Sequence, residues 1–532
     1  MSSVAASART GASDLVAALE KVCPGRVSTR APDRVAYARD LWPRGLLGLS
    51  DGDVAPHPPD AVVWPRSTDE VVEIVRLAAR TRTPIVPFGA GSGVCGGALP
   101  IHGGLVVDLK RMRRMLALDA DAGSATFEAG IIGEHLEHEL NRHGLTMGHF
   151  PSSIMCSTYG GWLAARSAGQ MSTRYGKIED MCRSLTFVDG AARVHQLDCS
   201  AAGAQDLAQT IIGSEGTLGI ITQATCTVHP MPEARVMRGW SFPRVGAGAE
   251  AIRRLLQRGL RPAVVRLYDE LDSLLHRNEK DSDDHAPAKE PRSDEPKSAL
   301  DEWIHAITRG RGGIGDWKRG AIRLALTRPD LVNRIGGALL PWVQEGCLLV
   351  VGFEGERSLA EAEAKAAAIE LTRAGGKDLG PGPGERWVKH RYSVSFRMSK
   401  VFDAGAFVDT MEVATTWDKL MPLYHAVREA LAPHCFVMAH FSHAYVEGCS
   451  IYFTFAARGS SRADAERRYD DIWRAGLAAT ARVGATISHH HGVGLSKAPF
   501  MPEEHGEAMR LYRALKTALD PDGIMNPGKM GL

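Results

Sequence analysis

The sequence lacks several features that would point to one class of protein. It has nine cysteines, an odd number with no C-x-x-C spacing, which argues against a disulfide framework and a cysteine zinc site. No apolar run reaches the length of a membrane span, and the N-terminal residues have no signal-peptide core. Lys and Arg number 63 against 62 Asp and Glu, so no global charge favours nucleic acid. These absences favour a cytoplasmic globular protein that binds no nucleic acid, and no peroxisomal address is read at either end.

The length of the chain indicates more than one domain. Its 532 residues are more than one ordinary core accommodates. From Pro59 onward, short apolar runs alternate with stretches of helical spacing, which predicts α/β units. Near Pro230 the texture changes, and a second α/β region with longer helices begins. We predict four segments: an N-terminal helical segment (1–56), a first domain (57–232), a second domain (233–480) and a C-terminal segment (481–532).

One internal region differs from the rest in composition. Residues 277–298 are charged, contain proline and have almost no apolar side chains, which predicts a disordered loop. Residues 299–345 mix Trp, Leu and Ile with basic residues, which predicts an amphipathic helical insertion. Such an insertion packs on its own domain with a solvated basic face, the more common case, or it forms a lid or a peripheral membrane contact.

A glycine-rich turn, "PFGAGSGVCGG" at residues 87–97, is the first candidate for ligand binding. A Rossmann fingerprint would open a helix directly, with an acidic residue about 20 positions later, whereas this turn leads into another strand. Such a loop offers main-chain N–H groups to a pyrophosphate, although glycines also serve tight turns that bind nothing. Further polar turns at residues 151–175 and 213–222 favour a ligand, because a cofactor as long as FAD is held at several points.

Four stretches taken together resemble one family. They are the turn at 87–97, "PSSIMCSTYGGWLAARSAGQMSTRYGKIEDM" (151–181), "IIGSEGTLGIIT" (211–222) and "LDPDGIMNPGKM" (519–530). In this order they resemble the FAD-binding vanillyl-alcohol oxidase and p-cresol methylhydroxylase family. Together with "PAVVRLYD", "SHAYVEGCSIYFTF" and "ISHHHGVG", they are most similar to its alkyldihydroxyacetonephosphate synthase branch. The resemblance implies a mixed α+β or α/β fold with an FAD-binding domain of two subdomains, an α/β cap domain and a C-terminal segment that returns to the flavin.

The resemblance also implies which residues contact the cofactor. FAD would be bound noncovalently, since the matching turn has no histidine and Cys95 lies past the core of the loop. The residues expected at the pyrophosphate, flavin and adenosine are Pro87, Phe88, Gly89, Ala90, Gly91, Ser92, Gly93, Val94, Pro151, Ser157, Thr158, Gly160, Gly161, Trp162, Ser167, Gly169, Tyr175, Glu215, Gly216, Gly219, Ile221 and Asn526.

Three adjacent histidines, His489, His490 and His491, precede a Gly-Val-Gly near the C-terminus. Neighbouring side chains on an extended chain alternate, so about two of the three are expected to reach a site. A metal site is not predicted, because no cysteine or carboxylate cluster completes a ligand set. Histidines hydrogen-bonded at a strand end are the structural alternative.

The resemblance assigns the histidines to catalysis. It adds Tyr452, Arg266 and Arg397 as catalytic residues and places His440 and His443 in the substrate pocket. Histidine can take and return a carbon-bound proton near neutral pH, and arginine can bind a phosphate or carboxylate by two hydrogen bonds. The implied reaction belongs to ether lipid synthesis. It exchanges the acyl chain of acyl-dihydroxyacetone phosphate for a fatty alcohol through an adduct on flavin N5, with no net redox change.

Two other functions remain open. The glycine-rich turn is as similar to the FAD-linked 2-hydroxyacid dehydrogenases, of D-lactate or glycolate type, in which histidine removes a hydroxyl proton while hydride passes to the flavin. Those enzymes carry "EHG" and "HxGDGN" where this chain has "HHHG" and "SHAYVEGCSIY", which favours the synthase type. A noncatalytic flavoprotein subunit is the third interpretation. The expected partners are a small-molecule or lipid substrate and a second copy of the chain in a homodimer.

Overall fold

The structure, a computed structural model, describes residues 14–199, 204–277, 346–392, 402 and 406–532, and the statements below concern these residues. Arg397, the predicted helical insertion and all but the first residue of the predicted loop lie outside them. The chain divides into two compact units. Unit 1 comprises Met1–Leu46, Gly52–Met231 and Ile487–Leu532, and unit 2 comprises Leu47–Asp51 and Pro232–Thr486.

Unit 1 contains eleven strands among the described residues. They are β1 (Val27–Ser28), β2 (Ala61–Val63), β3 (Ile85–Phe88), β4 (Leu105–Asp108), β5 (Met115–Asp119), β6 (Ser124–Glu128), β7 (Leu145–Thr146), β8 (Cys182–Val188), β9 (Val194–Asp198), β10 (Ile220–Thr227) and β11 (His229–Pro230). They form a four-stranded sheet of order β1-β2-β4-β3, a five-stranded sheet of order β5-β6-β10-β8-β9 and the pair β11-β7. Strands β2, β4 and β3 run parallel, and the five-stranded sheet is antiparallel.

The helices of unit 1 lie between these strands and near the C-terminus. They are α1 (Ala31–Ala36), α2 (Pro43–Leu46), α3 (Thr68–Thr81), α4 (Gly133–Asn141), α5 (Tyr159–Ala165), α6 (Ser172–Tyr175), α7 (Ile178–Met181), α8 (Ala204–Ile211), α15 (Met501–His505) and α16 (Ala508–Leu519), and α9 to α14 belong to unit 2. Residues 14–22 are also helical.

Helix α3, which connects two strands of the parallel sheet, shows how local sequence determines a helix. The Ser67 side chain accepts a hydrogen bond from the Glu70 main-chain N–H, 3.2 Å away, and so caps the first turn. Val71, Ile74, Val75 and Ala78 are buried at the three- and four-residue spacing of one helical face. The helix joins β2 to β3 as the crossover that a parallel pairing requires.

Unit 2 is built on one antiparallel sheet. Its strands are β12 (Ala234–Phe242), β13 (Val264–Tyr268), β14 (Cys347–Gly355), β15 (Lys377–Asp378), β16 (Ala406–Thr416), β17 (Phe436–Ala444) and β18 (Gly448–Arg458), in the order β15-β12-β14-β13-β17-β18-β16. Its helices are α9 (Val245–Gln257), α10 (Glu270–Arg277), α11 (Arg357–Arg373), α12 (Gly382–His390), α13 (Trp417–Leu431) and α14 (Arg462–Val483).

The position of β14 in this sheet explains its composition. All but the last of its residues are buried, because it lies between β12 and β13 and helices α9 to α12, whose bounds are given above, pack against it. A strand covered on both faces reads as a continuous apolar run. The mixed helix and sheet content confirms the predicted fold class, and no described helix is both long and apolar enough to cross a bilayer.

Candidate functional site

The glycine-rich turn begins where strand β3 ends in unit 1. The Leu41 main-chain N–H donates to the carbonyls of Gly91 and Gly93 at 3.1 and 3.0 Å, which holds the turn against the preceding segment. Among the described residues, the main-chain N–H groups from Ala90 to Val94 donate to no protein acceptor. A run of open N–H groups in a glycine-rich loop is a cradle for an anion such as a pyrophosphate.

Glu215 brings three of the sequence motifs together in unit 1. Its carboxylate accepts hydrogen bonds from the main-chain N–H groups of Val493 and Gly494, the latter at 2.8 Å. The Asn526 side-chain amide donates to the carbonyls of Gly97 and Glu215 at 2.9 and 2.7 Å. Glu215 therefore joins the turn at 213–222 to the segment after the histidines through its carboxylate, and to the end of the glycine-rich turn through its main-chain carbonyl and the Asn526 amide.

This junction needs glycine for steric reasons. A Cβ on Gly97 would lie 2.8 Å from one carboxylate oxygen of Glu215, and a Cβ on Gly492 would lie 2.6 Å from the other. Burial raises the pKa of Glu215, while the hydrogen bonds from Val493 and Gly494 lower it. The carboxylate that the resemblance assigned to the adenosine side is thus engaged by the chain's own backbone.

The three histidines lie in a bent segment rather than an extended strand. The Nδ1 atoms of His489 and His490 are 3.0 Å apart, so one ring donates to the other. The His490 ring also stands edge-on to His491, with centroids 4.7 Å apart. All three are half-buried, and consecutive rings contact each other instead of alternating across a strand.

The polar turn at 151–181 contributes a second set of contacts to unit 1. The Thr158 hydroxyl caps α5 by accepting from the Gly161 N–H at 3.2 Å, and it lies beside Gly89 of the glycine-rich turn. The Trp162 indole donates to the Ser157 hydroxyl at 2.8 Å. Thr158 therefore joins two segments that are separated by 69 residues of sequence but predicted to meet at the cofactor.

A buried histidine in the same region was missed by the sequence analysis. His149 is fully buried, its ring lies 4.7 Å from that of Trp162, and its Nε2 is 3.2 Å from the Ser167 hydroxyl. Its Nδ1 has no hydrogen-bond partner among the described residues. Burial, with a further contribution from His490, lowers the pKa of His149 to about 3, so the ring is neutral.

Several other predicted cofactor residues have clear packing contacts within unit 1. Gly160 packs on Ala129, and Gly216 on Pro87. Gly169 packs on the backbone of residues 149–150, Gly219 on the Val188 carbonyl, and the Tyr175 ring on Gly148 and His229. Phe88 and Ile221 are buried in strands β3 and β10. These contacts show how the residues shape the unit, and their contact with FAD stays a prediction.

Buried charges lie behind the glycine-rich turn. The Asp40 carboxylate accepts from the Trp42 and Ala98 N–H groups at 3.0 and 3.4 Å, and burial raises its pKa to about 7. Lys529 is fully buried, donates to the Leu99 carbonyl at 2.8 Å, and has a pKa lowered by burial to about 8. Both buried groups bind the backbone directly after the turn, Asp40 at Ala98 and Lys529 at Leu99.

Unit 2 carries the predicted substrate residues on three adjacent strands. Arg266 on β13 donates through Nη2 to His440 Nε2 on β17, at 2.7 Å. Because arginine only donates, the His440 proton lies on Nδ1, which faces Asp272 Oδ2 at 3.2 Å. We call this set the Asp272–His440–Arg266 chain. It fixes both the tautomer of the histidine and the direction of the guanidinium.

Tyr452 on β18 lies beside this chain. It pairs with His440 across the two strands, and the rings stack with centroids 4.6 Å apart. Its hydroxyl is 2.8 Å from His443 Nε2. Burial first, and then the charge of Glu412 on β16, raise the pKa of Tyr452 well above its usual value, while Arg266 lowers it. The hydroxyl therefore keeps its proton at neutral pH.

A bulge in β17 explains the position of His443. The β17–β18 register shifts between Ser442 and Ala444, so His443 is the extra residue. Its φ of +51° lies in the left-handed region, which is uncommon for a residue other than glycine. The bulge turns this side chain toward Tyr452, although regular alternation would separate it from His440.

Asp269 holds the backbone next to the Asp272–His440–Arg266 chain. Its carboxylate accepts from the main-chain N–H groups of Asp272 and Ala439 at 2.9 and 3.0 Å and pairs with Arg428 at 2.6 Å. Burial raises its pKa to about 6, and Arg428 opposes that rise. The two main-chain bonds place Asp272 and the residue before His440, so Asp269 positions both ends of the hydrogen bond between them.

The sequence analysis missed Asp272, Asp269 and Arg428 as well as His149. Asp269 follows the "VVRLY" strand and precedes a helix, which is the sequence pattern of a helix cap. Nothing in the spacing of Asp272 links it to His440, 168 residues later. Arg397 lies outside the described residues, so its predicted role is not placed.

Comparison with known proteins identifies the family. A family model for the C-terminal domain of FAD linked oxidases matches residues 231–530, more than half of the chain, and a model for an FAD binding domain matches residues 59–198. Alkyldihydroxyacetonephosphate synthase of Trypanosoma brucei brucei is 29% identical over 92% of this chain and 75% of its own length. The glycolate oxidase subunit GlcD of Bacillus subtilis is 26% identical, covering 89% of each chain.

Solved structures agree with the family. An alkyldihydroxyacetonephosphate synthase structure superposes with a TM-score of 0.74 at 25% identity, covering 97% of this chain and 86% of the other. A p-cresol methylhydroxylase structure superposes at 0.68 with 14% identity, over 98% and 97%, which shows a shared fold. These findings confirm the predicted resemblance and the FAD cofactor. The chain belongs to the FAD-linked oxidase family and has the fold of p-cresol methylhydroxylase.

Proposed function

We propose that the chain is an alkyldihydroxyacetonephosphate synthase-like enzyme. It would exchange the acyl chain of acyl-dihydroxyacetone phosphate for a fatty alcohol. The bond between the dihydroxyacetone carbon and the acyloxy oxygen breaks, and the acyl group leaves as a carboxylate. The alcohol oxygen then bonds to that carbon and loses its proton, which forms the ether. Neither substrate is oxidised or reduced overall, so the reaction needs no electron acceptor.

The observation that carries this proposal is that Arg266 and Tyr452 both contact His440, one by a hydrogen bond and the other by ring stacking. Arg266 is held in one direction by the histidine, and its buried Nε has no hydrogen-bond partner among the described residues. A fixed guanidinium with a free donor suits the phosphate or the leaving carboxylate of the substrate. Synthase relatives of this chain match over about nine-tenths of its length, which supports the assignment.

The residues of unit 1 fit an FAD molecule. The open N–H groups from Ala90 to Val94 suit its pyrophosphate, and the buried side-chain oxygen of Asn526 has no partner among the described residues. Bound in its oxidised form, FAD supplies an electrophilic ring nitrogen. We propose that it is held noncovalently, because residues 87–94 contain neither histidine nor cysteine.

The remaining chemistry would fall to side chains that hold or move protons. A ketone next to the ester carbon requires removal and return of a carbon-bound proton. His443 and Tyr452 share one hydrogen bond, so His443 would take and return the proton beside a tyrosine hydroxyl that stays neutral. His490 and His491 in unit 1 are further candidates, because both are half-buried, their rings contact each other, and His490 also acts on the buried, neutral His149.

A 2-hydroxyacid dehydrogenase is the second candidate. Relatives of this chain named glycolate oxidase subunit and D-lactate dehydrogenase match over 89% of its length at 26% identity. A hydroxy acid would use the same arginine for its carboxylate and a histidine for its hydroxyl proton. Unlike the synthase, such an enzyme would transfer electrons and require an acceptor.

Two further predictions from the sequence, a role for the helical insertion and a homodimer, belong to this proposal. Residues 299–345, the candidate lid or peripheral membrane contact, lie outside the described residues. A homodimer is also proposed. Vesicle flotation and light scattering of the purified protein would test the two separately from the reaction.

The flavin absorbance of the purified protein under anaerobic conditions tests the reaction. We expect palmitoyl-dihydroxyacetone phosphate to bleach the band and release palmitate, and hexadecanol alone to restore the colour. D-Lactate and glycolate should leave the spectrum unchanged. Bleaching by a hydroxy acid, reversed only by an electron acceptor, would contradict the proposal and support the dehydrogenase.

A further inference from the structure

Two donors from outside the glycine-rich turn bind its carbonyl groups. The ammonium group of Lys110, the second residue after β4, donates to the Gly89 carbonyl at 2.9 Å. The Leu41 main-chain N–H donates to the carbonyls of Gly91 and Gly93, as described above. Every second carbonyl from residue 89 to residue 93 is therefore held by another part of unit 1.

These bonds fix the direction of three N–H groups. A trans peptide unit is planar, so its N–H points opposite to its carbonyl, and no described peptide bond is cis. The three bound carbonyls share their peptide units with the N–H groups of Ala90, Ser92 and Val94. These N–H groups therefore point away from the two donors, and among the described residues they have no protein acceptor.

The two donors come from the same part of unit 1. The Lys110 ammonium lies 5.5 Å from the centroid of the Tyr37 ring. That ring packs edge-on against Phe88, at the start of the turn, with the centroids 4.8 Å apart. Tyr37 precedes Leu41 by four residues in the chain. The three N–H groups are thus directed away from the segment that covers the turn.

A buried carboxylate holds Lys110 in this position. The Lys110 ammonium pairs with Asp108 at 2.7 Å, and the Lys110 main-chain N–H donates to the same carboxylate at 2.9 Å. Asp108 is fully buried and also accepts from the Tyr37 hydroxyl and the Trp64 indole, at 2.5 and 3.0 Å. Because one buried acid binds both ends of the lysine, the Gly89 carbonyl is held by a fixed donor.

We propose that Lys110 is a positioning residue for the pyrophosphate of FAD. By holding the Gly89 carbonyl it keeps the Ala90 N–H turned toward the phosphates, and Leu41 does the same for the next two N–H groups. Donors that are already oriented lower the cost of binding, because the turn does not have to reorder when the cofactor enters. Lys110 has this role only if the pyrophosphate lies at residues 90–94, as proposed above.

Titration of the full-length apoprotein with FAD, followed by flavin fluorescence, tests this role without measuring turnover. Lys110→Met keeps an aliphatic side chain against the rings of Tyr37 and Phe88 but loses the donor to Gly89. We expect its Kd for FAD to rise about tenfold, and that of Lys110→Arg, which keeps a charged donor, to rise less than about threefold. Lys21→Met, at an exposed lysine of the same unit, is the matched control and should bind FAD as the wild type does.

Phosphorus NMR of the bound cofactor separates positioning from a general loss of stability. We expect the pyrophosphate signals of FAD in Lys110→Met to move relative to the wild type, while the flavin absorbance band and the melting temperature stay unchanged. Phosphorus signals that do not move, with a changed flavin band, would overturn the proposal.

Gly91→Ala distinguishes a failure of this role from a failure of the cofactor placement. Its Cβ would lie 2.6 Å from the Phe88 ring at a φ of +67°, so the turn would have to shift. Weaker FAD binding by Gly91→Ala together with normal binding by Lys110→Met would overturn the role of Lys110 alone. Normal binding by both variants would overturn the placement of the pyrophosphate as well.

Discussion

The candidate residues of the two units are organised in different ways. In unit 1 they act mainly through the backbone: open N–H groups from Ala90 to Val94, and a carboxylate at Glu215 that binds main-chain N–H groups. In unit 2 they act through side chains that meet across strands, as in the Asp272–His440–Arg266 chain. We propose a division of work, in which unit 1 binds the cofactor and unit 2 recognises the substrate.

Among the substitutions, Tyr452→Phe should lower turnover most, and it tests the role of unit 2. The phenyl ring keeps the stack on His440 but removes the hydroxyl that contacts His443. We expect turnover to fall on the order of 10³-fold with FAD content unchanged. Steady-state assays with parallel flavin quantification measure both.

Tyr469→Phe is the matched control for that change. The Tyr469 hydroxyl donates to buried Asp409, so its loss should lower the melting temperature while turnover of the folded protein stays the same. Loss of flavin from Tyr452→Phe would contradict the division between the units, since it would give Tyr452 a cofactor-binding role.

Asp272→Asn should have the next largest effect. An asparagine can donate its amide N–H to His440 Nδ1, which would move the ring proton to Nε2 and point it at the Arg266 guanidinium. We expect a 10- to 100-fold loss, roughly as when outer hydrogen-bond partners are removed, with KM raised. The exposed pair partner Asp378 offers a control, Asp378→Asn, that should leave both constants unchanged.

Gly97→Ala tests the unit 1 side. The added methyl group would meet the Glu215 carboxylate and disturb the junction that also holds Asn526. We expect FAD affinity to fall about tenfold, by fluorescence titration of the apoprotein, and turnover to return when FAD is saturating. Gly45→Ala, where the methyl group meets nothing within 4 Å, should retain normal affinity. A turnover defect that saturating FAD does not correct would contradict the assignment of this junction to cofactor binding.

Asp40→Asn should have the smallest effect, and that effect depends on pH. The folded-state pKa of Asp40 is about 7, above its unfolded value, so the folded protein retains a proton that the unfolded chain loses. This contribution to stability is complete below the unfolded pKa and is lost as pH rises through 7. The wild-type melting temperature should fall relative to that of Asp40→Asn by a few degrees between pH 5 and 8. Parallel curves would show that Asp40 does not titrate in this range.

The same contrast explains what the sequence could reveal. Turns that use glycine and backbone are local, so the motif at 87–97 and the turn at 213–222 were recognisable, and the FAD cofactor they implied is confirmed. Tyr452 and Arg266 were found through the resemblance, and their proximity through His440 is now seen in the structure.

The parts that could not be predicted depend on long-range register. His443 reaches Tyr452 because of a bulge that no residue type in the sequence predicts. Asp272 contacts His440 only after β13 has paired with β17. The expectation that neighbouring histidines alternate assumed an extended chain, but residues 489–491 are bent and their rings contact one another. Such features appear only when strands distant in sequence have paired.

The most direct test of the proposed function is product analysis in the absence of any electron acceptor. The holoprotein would be incubated anaerobically with palmitoyl-dihydroxyacetone phosphate and deuterated hexadecanol, and lipids would be identified by mass spectrometry. The account predicts a deuterated ether product and palmitate in equal amounts over many turnovers. Absence of the ether product, with turnover of a 2-hydroxy acid once an acceptor is added, would contradict it.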